Sequence, residues 1–227
     1  MNPVTVIGVA GLVVVSITSH EAAHGFVADR LGDPTARERG RLTLNPIPHI
    51  DLFFTILLPL FLILSRSGFI FGGAKPVPVD VSRLRNPRRD WALVGAAGPA
   101  LNVIMAIGLA GMLSAATFMG LTDSSSSLTE IIAVGIFLNA LLAVFNLIPI
   151  PPLDGSRVVQ YFLSGGALAL YRRLERFGLL IIMAAVFLVP QLQEPLSGAI
   201  FGLVTLITTP FGVAAVVESV LRSVLFG

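Results

Sequence analysis

Cysteine is absent from this 227-residue chain. Disulfides and thiolate ligands are therefore excluded, and any metal site must be built from His, Asp or Glu. Charge is also scarce. Asp, Glu, Lys and Arg together make up 12% of the residues, against roughly 25% in an ordinary soluble domain. Such a composition argues against a soluble enzyme and against a disordered chain. The net charge of +2 comes from 15 basic and 13 acidic residues. That excess is too small and too scattered for a polyanionic partner, so no nucleic acid is expected. No hydrophilic stretch is long enough for an appended regulatory domain, and residues 1–227 read as one membrane-embedded domain.

Apolar residues are abundant, at 55% with a mean hydropathy of +0.88, and they come in long runs. The first is Val4 to Thr18, continuing as a helix to about Arg30. The others are Trp91–Met119, Leu128–Ile148, Phe177–Val189 and Leu196–Leu221. Each is long enough, or nearly so, for a hydrocarbon core of about 30 Å. Pro210 is expected to kink the last one. The first run lacks the basic start of a signal peptide. A shorter run, Leu52–Leu64, has Pro59 in its middle and reads as re-entrant or a shallow hairpin. With five crossings and that segment not crossing, all 15 basic residues fall on one side. The positive-inside rule then puts the N-terminus outside and the C-terminus in the cytoplasm. The pieces Gly40–Asn45 and Ala74–Val81 alternate in character and read as short cytoplasmic-side strands. The expected fold class is an all-α polytopic membrane protein with about five transmembrane helices, a re-entrant apolar segment and those strands. A prokaryotic cell membrane is the expected location.

The residues with most chemistry are His20-Glu21-Ala22-Ala23-His24. On a helix, positions i and i+4 share a face, so both imidazoles can reach one ion. Glu21 stands where it can take a proton from a water at that ion. The bland alternative is that these residues mark the wet end of a membrane helix. Against it, ionisable groups at membrane depth are costly and tend to be functional. Two His ligands need at least one more protein ligand and an open position. With only His49 besides, a carboxylate is the expected third.

A second segment, Asn146 through Pro149, Pro151, Pro152 and Leu153 to Asp154-Gly155, closes the Leu128–Ile148 run. The prolines stop the helix and force extended backbone. Asp154 is then delivered at the membrane boundary on non-helical chain, on the same side as His24. Gly155 is expected to permit a tight turn after it. Alone, Asp-Gly after prolines is more often only a turn. Paired with the His-Glu-Ala-Ala-His segment, Asp154 becomes a third-ligand candidate.

Taken together, these two segments resemble those of the site-2 protease family of intramembrane zinc metalloproteases. Between them, Ala97-Gly98-Pro99-Ala100-Leu101-Asn102 is similar to an element on that family's middle core helix. The resemblance covers about residues 4–165, with helices of residues 166–227 following. It implies one zinc per chain, held by His20, His24 and Asp154, with Glu21 as catalytic base. It also implies a role for Asn146 in positioning the scissile peptide or its oxyanion. The chain looks like the compact type without a PDZ or CBS domain.

The implied activity is hydrolysis of peptide bonds in transmembrane protein or peptide substrates within the lipid bilayer. Glu21 would carry a proton to the leaving amine, and Asn102 or Asn146 would steady the oxyanion. The strand-like pieces would pair with an unwound substrate by strand addition. Two rival functions are a catalytically inactive membrane scaffold of the same fold and a metal-ion transporter. Several residues have plain structural readings: His49 as a loop contact, and Asn139, with Asn102 as an alternative, as interhelical hydrogen-bonding residues. Gly95, Gly98 and Gly108 read as allowing close helix packing.

Overall fold

A computed structural model describes residues 2–57, 61, 64, 73–123, 126–178, 180–182, 184, 191 and 193–225. Helix α1 spans Pro3–Arg30. Its start is set by Asn2, whose side chain accepts from the Thr5 N–H, and by Pro3 in the first turn, where a missing N–H costs nothing. Its end is set by Gly32, whose φ of 112° a residue with a Cβ rarely adopts. After a short α2 (Thr35–Glu38), α3 runs over Pro87–Phe118 and α4 over Ser127–Asn146. Ser126 caps α4 by accepting from Thr129 N–H. Then come α5 (Asp154–Phe162), α6 (Gly165–Leu174), α7 (Gln193–Thr208) and α8 (Ala214–Leu225).

Among the described residues, four helical stretches are long and apolar enough to cross a membrane: Pro3–Arg30, Pro87–Phe118, Ser127–Asn146 and Glu194–Phe211. The fold is all-α and polytopic. Helix α3 packs against α1, α4 and the start of α5, while α7 and α8 pack on α4. Leu113, Ile136, Val204 and Val217 form the apolar core between α3, α4, α7 and α8. Helices α1 and α4 run side by side in the same direction. Thr5 Oγ1 donates to Glu130 Oε2 at 2.7 Å near one end, and Asn139 Nδ2 donates to Ser16 Oγ at 2.9 Å further along. At 1.5 Å per residue, His20 lies about 22 Å beyond Thr5. The histidines therefore sit toward the other end of the bundle.

Several sequence expectations change. No strand forms among the described residues. Gly40–Asn45 makes turns and bends, and 73–80 takes no regular secondary structure. The physical reason is donor supply: Pro76 and Pro78 have no N–H. Three other donors go elsewhere, Lys75 N–H to His49 O, Val77 N–H to Glu21 and Asp80 N–H to Asp33. The last run is not one kinked helix. Pro210 falls in a 3₁₀ turn over Thr209–Phe211, Gly212 takes a left-handed φ of 72°, and α8 begins after it. Ser114 Oγ donates to Phe211 O at 2.8 Å. Ser114 is one turn from the end of α3 remote from the histidines, so α8 starts on that remote side. The run expected to return the C-terminus to the histidines' side as one crossing is thus divided there. Leu52–Leu57 is a single π-helical segment. Residues 58–60, 62 and 63 of the expected re-entrant segment, and 179, 183 and 185–189 of the Phe177–Val189 run, lie outside the described residues.

Candidate metal centre

His20 and His24 lie one turn apart on α1, both buried, with Glu21 beside them; these three residues form a group able to hold a metal ion. Helix α3 shapes the space facing them. A Cβ on Gly98 would lie 2.6 Å from His20 Nε2 and 2.6 Å from His24 Nε2. Gly98 is therefore there to admit two imidazoles, not merely to let helix backbones approach. Gly108, grouped with it in the sequence, has open space around its Cβ position and packs against nothing.

Asp154 reaches the histidines because the chain folds back sharply after α4. Pro149, Pro151 and Pro152 prevent the helix from continuing, but the chain after them forms turns and bends and not the expected extended backbone. Asp154 is not on non-helical chain: it is the first residue of α5, because no proline follows to deny that helix its N–H donors. Gly155 does not serve a left-handed turn. A Cβ there would lie 2.1 Å from the Leu147 carbonyl oxygen, so the start of α5 is pressed onto the end of α4 and only glycine fits. Gly95 does the same job from α3, where a Cβ would be 2.9 Å from the Asp154 carbonyl oxygen.

Three atoms converge. Asp154 Oδ2 is 3.0 Å from His20 Nε2 and 3.2 Å from His24 Nε2, and the two Nε2 atoms are 3.2 Å apart. The far nitrogens are both engaged. His24 Nδ1–H donates to the Val94 carbonyl at 2.6 Å, and His20 Nδ1–H donates to Asn102 Oδ1 at 2.6 Å. Neutral imidazoles bonded this way turn lone pairs toward one another and toward a carboxylate. Three acceptors within 3.2 Å with no donor between them repel unless a cation joins them. Tetrahedral zinc, with ligand bonds of about 2.0–2.2 Å, sets its ligand atoms roughly 3.3 Å apart. The nitrogen–nitrogen–oxygen set fits such an ion.

Arg157, one turn after Asp154 on α5, was not a sequence candidate. Its guanidinium lies 3.1 Å from Asp154 Oδ1 and stacks over the Trp91 ring at 4.5 Å. The carboxylate thus offers Oδ2 to the histidines and Oδ1 to Arg157. An acidic residue followed at i+3 by arginine on one helix was the legible signal.

Other predicted residues fall as follows. Glu21 Oε2 accepts from the Val77 N–H at 2.9 Å, so the 73–80 segment passes directly beside it. Asn102 is fully buried, with Oδ1 on His20 and Nδ2 on Asn139 Oδ1 at 2.9 Å. Both of its polar atoms are engaged within the bundle, and it is not turned to an oxyanion. Asn146 Nδ2 donates back to the Leu142 carbonyl on its own helix and is not gathered into the cluster. His49 Nε2–H donates to Thr43 O, a loop contact.

A protein of Bacillus subtilis named "Putative zinc metalloprotease YwhC" is 39% identical over 180 residues, covering 78% of this chain and 78% of its own length. The pattern of Peptidase family M50 matches residues 108–189, a stretch that contains Asp154. The chain belongs to peptidase family M50, the site-2 proteases. A second relative, "Putative zinc metalloprotease Rip2" of Mycolicibacterium smegmatis, is 30% identical over 200 residues, covering 86% of this chain and 73% of its own length. No solved structure matches. Family and fold together support a multi-pass membrane metalloprotease.

Proposed function

We propose that this M50 protein is an intramembrane zinc endopeptidase that hydrolyses peptide bonds of transmembrane substrates. The observation that carries the reading is the triangle of His20 Nε2, His24 Nε2 and Asp154 Oδ2, three acceptors 3.0–3.2 Å apart. These three would hold one zinc ion. Bound there, zinc would polarise the scissile carbonyl and make water a nucleophile near neutral pH.

The protein's own residues do the rest. Glu21 takes the proton from the attacking water and returns it to the leaving amine. Its carboxylate is oriented meanwhile by the Val77 N–H. Gly98 keeps the opposite wall free of side chain. Asn146, at the end of α4, is the amide left for the oxyanion; the Leu142 carbonyl holds one of its two N–H donors and leaves the other. The substrate helix must unwind locally before a carbonyl becomes available, because its carbonyls are held in internal hydrogen bonds. The triangle lies on the side of the bundle where the basic loop residues cluster, and the positive-inside rule makes that side cytoplasmic.

The transporter reading has less to stand on. The buried polar groups leading away from His20 are Asn102, Asn139 and Ser16, none of them ionisable. The test is metal content together with Glu21→Gln. Purified wild-type protein should carry about one zinc per chain, the stoichiometry of a mononuclear site. Glu21→Gln should keep the zinc and lose cleavage of co-expressed single-span membrane proteins. Absence of zinc after reconstitution overturns the protease reading and leaves the scaffold. Undiminished cleavage by Glu21→Gln removes Glu21 from the base role.

A further inference from the structure

We propose that the tautomer of His20 is set from outside the site, by a relay of buried amides that begins at the backbone carbonyl of Gly135. The relay matters for catalysis only if the zinc reading above holds, but its geometry stands independently of it.

The relay starts where no choice exists. The Gly135 oxygen is a carbonyl and can only accept. Asn139 Nδ2 lies 2.9 Å from it and 2.9 Å from Ser16 Oγ. Turning the Asn139 amide over would set its Oδ1 against that carbonyl, acceptor to acceptor. Ser16, Asn102 and Asn139 are all 0% exposed, so no bulk water relieves such a mismatch. Asn139 must therefore present Oδ1 to α3. Asn102 Nδ2 donates to that oxygen at 2.9 Å, which leaves Asn102 only its Oδ1 for His20. The 2.6 Å contact between Asn102 Oδ1 and His20 Nδ1 then requires the proton to be on Nδ1. A neutral imidazole has one N–H, so Nε2 is left with its lone pair, and Nε2 is the atom that faces His24 and Asp154.

Ser16 is neutral in this logic, because a hydroxyl can donate or accept. It closes the circuit physically: Ser16 and His20 lie one turn apart on α1, joined through α4 and α3. His24 reaches the same tautomer by a shorter route, directly on the Val94 carbonyl. Both histidines are thus polarised by a backbone carbonyl, one at first hand and one through two asparagines. Asn102 and Asn139 are positioning residues in this scheme, not catalytic ones. Their amides at membrane depth are tolerated because every link is donor to acceptor.

Two measurements test the relay. The first is ¹⁵N NMR of histidine rings in zinc-free protein, at a pH high enough to keep the imidazoles neutral, with His20 assigned by its absence in His20→Ala. The relay predicts His20 protonated at Nδ1 in the wild type and a mixture of tautomers in Asn139→Leu. His20 protonated at Nε2 in the wild type overturns it. The second is zinc affinity by chelator competition. Asn102→Leu should lose about 10–100-fold, the usual effect of removing a partner that orients a metal-binding histidine. Asn139→Leu should lose less. Asn102→Asp should bind close to wild type, because a carboxylate oxygen accepts the same Nδ1–H, while melting lower because its other oxygen faces Asn139 Oδ1. A purely structural role predicts lower melting with unchanged affinity in the leucine variants as well as in Asn102→Asp; unchanged affinity in the leucine variants overturns the relay. If Asn102→Leu does not fold, wild type, Asn139→Leu and Asn102→Asp still decide. Wild type that binds no zinc yet shows His20 Nδ1–H refutes the protease reading and leaves the relay standing.

Discussion

The two ends of α1 carry polar contacts of opposite kinds. Near its start, Thr5 Oγ1 donates to Glu130 Oε2, and Asn2 caps the helix while its Nδ2 donates to Ser127 Oγ. Every contact there is a donor meeting an acceptor, and nothing further is needed. Near its other end, His20, His24 and Asp154 turn acceptors toward one another at 3.0–3.2 Å. The same helix therefore holds one polar cluster that is complete by itself and one whose acceptors a cation would join. Buried polarity alone does not mark a reaction centre in a membrane bundle; the direction in which each donor points does.

The contrast can be broken from the site end outward. Asp154→Ala removes an atom of the triangle itself and should lower zinc affinity more than about 100-fold, beyond the range of a supporting residue. Chelator competition on purified protein measures it, and near-wild-type affinity would sink the three-ligand site. Gly98→Ala is next. Its Cβ would stand 2.6 Å from both Nε2 atoms, so the imidazoles must move, and affinity should fall at least about tenfold. A Gly98→Ala variant with full zinc and an unshifted cobalt spectrum would show that the rings can yield.

Arg157→Gln should have a smaller effect. It frees Asp154 Oδ1 without touching Oδ2, and a loss of about tenfold in affinity is expected, again read by competition. Thr5→Val sharpens the comparison from the other end. It should cost about 1–3 kcal/mol of stability by leaving Glu130 short of a donor, seen as a lower melting temperature. Zinc content should not change at all, and a change would join two ends that the bundle keeps about 22 Å apart.

Much of this was legible along the chain. The i, i+4 spacing of His20 and His24 puts both rings on one helix face whatever the tertiary fold. The proline run before Asp154 guaranteed that the acid leaves the helix. Length and apolarity of the runs marked crossings, because a bilayer offers no other place for them. Arg157 and Gly98 were harder. Arginine near a helix start at the membrane boundary is common enough to hide one that grips a carboxylate. A glycine in a membrane helix carries the packing reading by default, and only the position of its missing Cβ tells what it makes room for. The strand-like 74–81 segment misled because alternation of residue character does not count donors, and Pro76 and Pro78 had removed them.

Composition, spacing and hydropathy by themselves determined a cysteine-free, all-α membrane protein with a histidine pair, an adjacent glutamate and one displaced aspartate. These are local properties: they depend on helix period, side-chain chemistry and the length of an apolar run. Tertiary structure alone decided what happens between helices. It pressed Gly155 onto Leu147, set Gly98 against the two rings, broke the last run after Phe211 on the far side, and oriented Asn102 and Asn139. Each of those depends on which way an amide or a Cβ points across a gap between helices, and that direction is fixed only when three helices pack at once.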